Sequence, residues 1–157
     1  MQDPQEIQQR LARFREELKQ SGVKATHQRL EIFREVIRSG EHPDVESVYQ
    51  GVRRRIPSVS LDTVYRTLWL FLEGGLIATL GSSQNRVRFD GNIRPHHHFI
   101  CKKCSRVFDF ASREFDELTA PSEVKAWGNV ERTHVEFKGL CARCRKKQGE
   151  HSLKNKF

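Results

Sequence analysis

All four cysteines of the chain fall in two C-x-x-C pairs, Cys101-Lys102-Lys103-Cys104 and Cys141-Ala142-Arg143-Cys144, with 36 residues between them. Two residues between cysteines let one turn present both sulfurs to one ion, and two such turns complete a tetrahedral shell. Four protein ligands leave no open position, so zinc held this way is structural. It staples the C-terminal segment to a hairpin in a domain too small to be held by burial alone. The competing state is two disulfides or free thiols. Met1-Gln2-Asp3-Pro4-Gln5-Glu6 has no basic or apolar signal region, and no run nears the ~20 apolar residues of a membrane span. The expected compartment is the cytoplasm, where thiols stay reduced and paired cysteines favour zinc.

Three histidines, His96-His97-His98, precede the first pair. On a strand, His96 and His98 share one face and His97 takes the other. Two imidazoles make half of a divalent-metal site, to which Asp109 on the next strand can add an oxygen. The plainer alternatives are a polar edge strand, or histidines donated to the zinc. A zinc-dependent hydrolase, with metal-bound water and a carboxylate base, is the alternative from another class. Against it, the chain has no H-E-x-x-H and no spare serine or cysteine nucleophile that the motifs single out.

The elements that must position these groups change period along the chain. Ile7, Leu11, Phe14 and Leu18 recur at helical spacing up to Ser21-Gly22. Thr26 can cap a second helix with Leu30, Phe33 and Ile37 inward, ending at Ser39-Gly40. Asp44 can cap a third with Val45, Val48, Tyr49 and Val52 inward, closed by Arg53 to Pro57. Ser60 can cap a fourth, with Val64, Leu68 and Phe71 or Leu72 inward and Gly74-Gly75 as its stop. Then the period falls to two: Leu76–Leu80 and Arg86–Phe89 read as strands around a turn at 81–85. Four helices and a hairpin predict a winged helix-turn-helix. The fourth helix, Ser60 to Leu68, is the expected recognition helix, showing Asp62, Thr63, Tyr65 and Arg66 outward and Thr67 near the edge. Beyond a hinge at Asp90–Pro95, strands are expected over His96–Cys101 and Val107–Phe110. A helix is expected over Ser112–Ala120 with Phe115 and Leu118 inward, a β-compatible stretch over Asn129–Lys138, and a frayed polar tail after Cys144.

The formal charge of +8 calls for an anionic partner, nucleic acid first. It does not locate a binding face. Residues 1–80 hold 12 Lys/Arg against 11 Asp/Glu, whereas residues 81–157 hold 16 against 9. The case for DNA therefore rests on motifs.

Together these segments resemble the ferric uptake regulator family of metal-dependent transcription regulators, from about residue 10 to Cys144. Thr26-His27-Gln28-Arg29 is similar to the family's T-x-Q-R. Ser60 to Leu68, followed by Glu73-Gly74-Gly75-Leu76-Ile77, is similar to its S-x-x-T-V-Y-R-x-L and E-x-G-L-I. His96 to Cys104 is similar to its H-x-H-x-x-C-x-x-C. The resemblance implies a repressor acting as a homodimer on double-stranded operator DNA, α+β in class. The winged helix would occupy residues 1–84, the wing end and hinge 85–94, and an α/β dimerisation and metal-binding domain 95–157. Implied DNA contacts are Ser60, Thr63, Tyr65, Arg66, Thr67 and Arg29.

Within the family the peroxide-sensing type is the most similar. It implies a regulatory Fe²⁺ or Mn²⁺ held by His42, Asp90, His96, His98 and Asp109, beside structural Zn²⁺ on the four cysteines. His42 and His96 are the implied oxidation sites. Iron-sensing members usually have glutamate where Asp109 stands, so an iron-responsive repressor without peroxide sensing is the alternative. Pro95 and Thr133 replace histidines that many members use for a further metal site, although His97, Asp116 and His134 lie near it. A complete third site is not expected.

Overall fold

The computed structural model describes residues 3–38, 40, 42–83 and 86–154. Contacts divide the chain into two compact units, Met1–Ile93 and Arg94–Phe157. The first is helical with one hairpin and the second is built on a mixed sheet, the α+β composition expected.

The first unit opens with α1 (Pro4–Gln20), α2 (His27–Arg38), α3 (Val45–Arg53) and α4 (Leu61–Glu73). Side-chain oxygens start each of them. Asp3 accepts from Gln5, Thr26 from Arg29, Asp44 from Ser47 and Ser60 from Thr63. Each bond satisfies an amide that the helix itself leaves unpaired. Helix α4 stops where Leu76 N–H bonds the Phe71 carbonyl at 2.9 Å, with Gly75 at φ 66°. That left-handed residue is why a glycine stands there. Phe14, Phe33 and Phe71 fill the centre, the first two stacked and Phe71 edge-on to both. Around them lie Leu18, Ile32, Val36, Ile37, Val48, Val52, Val64 and Leu68.

Two acidic residues of α2, Glu31 and Glu35, are buried. Arg55, just beyond α3, donates to Glu31 through Nε and to Glu35 through a terminal nitrogen at 2.8 Å. Arg34 and Arg38 stand 3.3 and 3.4 Å from the same two carboxylates. The Arg55 guanidinium is stabilised in its charged form, because bonding to the two glutamates outweighs the opposing effect of burial. This clamp ties the turn that precedes α4 to α2. Breaking a fully buried pair costs about 3–5 kcal/mol. The Arg55 side chain is 31 % exposed and two arginines remain, so Arg55→Ala is expected to cost about 2 kcal/mol. Urea unfolding should show the lower midpoint with an unchanged slope.

Strands β1 (Ala78–Ser83) and β2 (Arg86–Asp90) form the antiparallel hairpin. The first strand starts and ends later than its hydrophobic pattern implied. Leu76 and Ile77 are buried in the turn out of α4, and the register shifts between Leu80 and Ser83. Residues 84 and 85 of the expected turn, and Ser39 at the expected end of the second helix, lie outside the described residues.

In the second unit β3 (His97–Cys101) is the central strand, with β4 (Val107–Phe110) antiparallel on one side and β5 (Glu136–Gly139) parallel on the other. The three-histidine segment is thus not a polar edge: His96, His97 and His98 are all buried. The expected helix over 112–120 is a single turn, α5 (Arg113–Asp116), and Leu118 is exposed rather than inward. A second short helix, α6 (Ser122–Trp127), follows Pro121, which supplies the break. The segment after Cys141 forms α7 (Ala142–Lys154), a polar helix where fraying was expected. No helix of the described residues is long and apolar enough to cross a membrane.

Candidate metal centres and nucleic-acid face

The first cysteine pair sits on the β3–β4 turn, the second where β5 runs into α7. One sulfur from each of Cys101, Cys104, Cys141 and Cys144 lies within 4.8 Å of the others, and all four are thiols. The turn is held by Cys101 N–H to the Arg106 carbonyl and Ser105 N–H to the Cys101 carbonyl, with Ser105 at φ 57°. The Cys141 amide donates to Cys101 Sγ at 3.3 Å, and backbone donors, that one first, hold the Cys101 thiol down to about 6. Burial, then bonding to the neighbouring thiols, pushes Cys144 up to about 12. Protein groups alone thus ionise the Cys101 sulfur readily and resist ionising Cys144. A set of four thiolates requires a cation among them, and a tetrahedral cage of sulfur fits zinc.

A second cluster occupies the other face of β3. His96 and His98 point Nε2 at Nε2, 2.9 Å apart. Asp109, paired in register with His98 across the β3–β4 ladder, places Oδ1 3.4 Å from His98 Nε2. His96 Nδ1 lies 2.7 Å from the Arg94 carbonyl, which can only accept, so the proton belongs on Nδ1 and the lone pair on Nε2. Two nitrogens and a carboxylate converging on one point fit a borderline divalent cation such as Fe²⁺, Mn²⁺ or Zn²⁺. His134 was not placed here by the sequence reading. Its Nε2 is 3.1 Å from His98 Nδ1. Burial first, then His98, holds the His134 ring below the usual histidine range.

In the first unit His42 and Asp90 make a pair, His42 Nε2 to Asp90 Oδ1 at 3.6 Å, both buried. Their backbones meet because Phe89 N–H bonds the Pro43 carbonyl and Asp44 bridges Arg88. Asp90 also accepts from Asn92 N–H at 2.7 Å. His42 stands at φ 53°, a left-handed conformation that costs a non-glycine residue of order 1 kcal/mol or more. Strain of that kind at a buried polar pair marks a constrained position.

His97 faces away from His96 and His98, as strand alternation requires. Its Nδ1 accepts from Val135 N–H at 3.3 Å and its Nε2 lies 3.2 Å from Asp116, among Phe110 and Phe115. With Nδ1 an acceptor, the proton of a neutral ring sits on Nε2, near Asp116 but not aligned into a hydrogen bond with it. His134 approaches His98 more closely than His97, with ring centroids 4.7 against 6.2 Å apart. His97 thus lies with Asp116, and His134 lies with His98.

On α4, Tyr65 and Arg66 are exposed and Thr63 is half-buried. Thr67, expected near the edge of that face, is buried. It follows Val64 by three residues and precedes Phe71 by four, which puts it on the inward stripe. The Ser60 hydroxyl is engaged at 2.8 Å with the Thr63 hydroxyl and caps the helix. Arg66 stands 3.7 Å from Asp62, both well exposed, a pair that water already weakens. Tyr65 stacks on Trp69, one helical turn on, at 5.3 Å and 10°. That aromatic ledge was missed because the tryptophan sits within a run of apolar residues. Arg29 is half-buried, one terminal nitrogen donating to the Lys24 carbonyl.

A family model described as the ferric uptake regulator family matches residues 20–146. The peroxide-responsive repressor PerR of Staphylococcus epidermidis is 32 % identical over 128 residues, covering 82 % of this chain and 85 % of that protein. The crystal structure of the Campylobacter jejuni peroxide stress regulator is 28 % identical with a TM-score of 0.64, covering 81 % of this chain and 96 % of that one. The Helicobacter pylori ferric uptake regulator Fur, whose structure is described as revealing three functional metal binding sites, is 25 % identical. Its TM-score is 0.69, over 88 % of this chain and 93 % of that one.

Proposed function

The chain belongs to the ferric uptake regulator family, and from that premise we propose that it is a repressor that senses peroxide through its regulatory metal. At the coarser level it is a metal-responsive transcription regulator, a homodimer on double-stranded DNA, and not an enzyme. The observation that carries the finer reading is Asp109 in register with His98, joined to 32 % identity with a peroxide-responsive repressor. The cytoplasm is the compartment that fits a DNA-binding partner and four thiols.

In this reading zinc occupies the cysteine cage and keeps the second unit folded. His42 and Asp90 from the first unit, with His96, His98 and Asp109 from the second, are ligands of one regulatory ion, Fe²⁺ or Mn²⁺. Three neutral imidazoles and two carboxylates would balance a divalent charge. A ferrous ion there supplies the chemistry by which hydrogen peroxide gives one oxygen atom to an adjacent imidazole and leaves as water. His42 and His96 are the residues that would receive it. An oxidised ring is a poorer donor, so the ligand set weakens and DNA is released.

Ser60, Thr63, Tyr65, Arg66 and Arg29 are proposed as the DNA contacts, hydroxyls toward phosphates and Arg66 toward a base edge. Tyr65 on Trp69 offers an apolar ledge for a thymine methyl. Thr67 enters only as support beneath them. In the dimer the two copies of α4 would lie about one DNA turn, ~34 Å, apart. The row Phe108, Phe99 and Phe137 across one face of the sheet, with Phe108 and Phe137 exposed, supports a second copy of the chain covering that face.

The test is operator binding with Fe²⁺ and with Mn²⁺, each before and after peroxide. Peroxide should abolish binding by the Fe²⁺ form and spare the Mn²⁺ form, and mass spectrometry should find one added oxygen on a peptide holding His42 or His96. Equal survival of both forms, with both peptides unmodified, would leave an iron-responsive repressor.

A further inference from the structure

Among the described residues, His134 is the imidazole in contact with the regulatory cluster that the five-ligand reading does not use. It precedes β5, whose parallel pairing with β3 brings it alongside His96 and His98. Its Nε2 lies 3.1 Å from His98 Nδ1, while His98 Nε2 is turned the other way, 2.9 Å from His96 Nε2 and 3.4 Å from Asp109. His134 therefore sits behind His98 and does not join it at the metal position.

Two imidazoles in contact must agree on a direction for the proton between them. His98 Nε2 faces His96 and Asp109, so a lone pair held there leaves the His98 proton on Nδ1, and the atom opposite Nδ1 is His134 Nε2, 3.1 Å away. A His134 ring protonated at Nδ1 presents Nε2 as the acceptor. His98 Nδ1 then donates to it, and His98 Nε2 keeps its lone pair. The second histidine reaches the same state more simply, since His96 Nδ1 donates to the Arg94 carbonyl at 2.7 Å.

We propose that His134 is a positioning residue that fixes His98 as the Nδ1–H tautomer and so holds its Nε2 lone pair toward the regulatory metal. The relay runs from His98 Nδ1 to His134 Nε2, so one side chain orients the His98 ring from behind. A carbonyl does this for His96 and an imidazole does it for His98. Outer partners that fix a ligand's tautomer typically contribute about 10–100-fold in metal affinity.

The proposal rests on His98 being a metal ligand, and the experiment separates the two ideas. Full-length zinc-loaded protein is labelled with ¹⁵N at histidine. The protonation of each His98 nitrogen is read by NMR without the regulatory metal, and Mn²⁺ affinity is measured by competition. The wild type should carry a proton on His98 Nδ1. His134→Phe should lose that preference and bind Mn²⁺ about 10–100-fold more weakly. His134→Gln, whose side-chain oxygen can still accept, should stay within a few-fold of wild type by the same reasoning. An unprotonated His98 Nδ1 in the wild type overturns the relay, as does His134→Phe with unchanged tautomer and affinity. If His98→Ala binds Mn²⁺ as tightly as wild type, the ligand assignment itself fails, and the relay with it.

Discussion

Cys141→Ser is expected to unfold the second unit while the helices of the first persist. Apart from cysteines, the fully buried apolar side chains described between Arg94 and Lys154 are Ile100 and Val107. The cluster that serves as a core there is Cys101, Cys141 and Cys144, with Phe99 and Cys104 packed on it. Two aliphatic side chains, at about 1.5–3 kcal/mol each, cannot offset the ordering of some sixty residues. Structural zinc supplies about 10–16 kcal/mol, as much as the whole stability of an ordinary domain. Serine is a poor zinc ligand, so its introduction should release the ion. Zinc content by elemental analysis should fall to near zero. Amide exchange protection should vanish across His97–Cys101, Val107–Phe110 and Glu136–Gly139 and remain in α2 and α4. Retention of the sheet without metal would mean that packing not visible in one subunit, such as the Phe108 and Phe137 face covered by a partner, carries more of the load.

His42→Ala is expected to make operator affinity the same with and without Mn²⁺. In the proposed reading His42 and Asp90 belong to the DNA-binding unit, and the other three ligands to the second unit. The ion then acts on DNA binding only through His42 and Asp90. Coupling between two ligands of this kind is typically about 1–3 kcal/mol, or roughly 5–150-fold in affinity. That whole factor should disappear in the variant, leaving the affinity of the metal-free wild type. Linkage makes the effect reciprocal: operator DNA should tighten Mn²⁺ binding to the wild type by the same factor and leave the variant unaffected. Alanine keeps the Cβ, so the left-handed strain at residue 42 is not relieved, and circular dichroism of the variant checks that it folds as the wild type does. A variant that still gains affinity with Mn²⁺ would mean that His42 does not carry the coupling, and Asp90→Ala would then show whether Asp90 does.

The sequence was most informative where one residue type has one job. Thr26, Asp44 and Ser60 cap helices because a short side-chain oxygen ahead of an apolar stripe does little else. The C-x-x-C pairs placed four sulfurs together across 40 residues of chain because only a shared ion explains them both. It was least informative where the outcome depends on which residues meet. Thr67 is polar yet lies on the stripe set by Val64, Leu68 and Phe71. Leu118 is apolar yet outside a one-turn helix that Pro121 prevents from continuing. The polar run after Cys144 forms α7, which starts where the second cysteine pair fixes the chain. His134 could not be assigned from spacing, because its partner is chosen by the register of β5 on β3. One residue of slip would turn it to the face of His97 and Asp116.

The parallel pairing of β3 with β5 also sets an order of events when the protein is made. The first unit is built from neighbouring helices and a hairpin, so its contacts are local and can form within the time needed to synthesise it. The second unit has one such local pairing, the β3–β4 hairpin, but β5 gains a partner only when Glu136 finds His98 and Cys141 finds Cys101. Closing a loop of that length is slow, and such non-local pairings are what retard folding generally. The first cysteine pair leaves the ribosome well ahead of the second and can hold zinc only loosely in the interval. Zinc supply therefore sets how fast each new chain becomes competent, as well as how many are folded at equilibrium. A cell short of zinc would accumulate chains with a finished helical head and an open, cysteine-bearing tail.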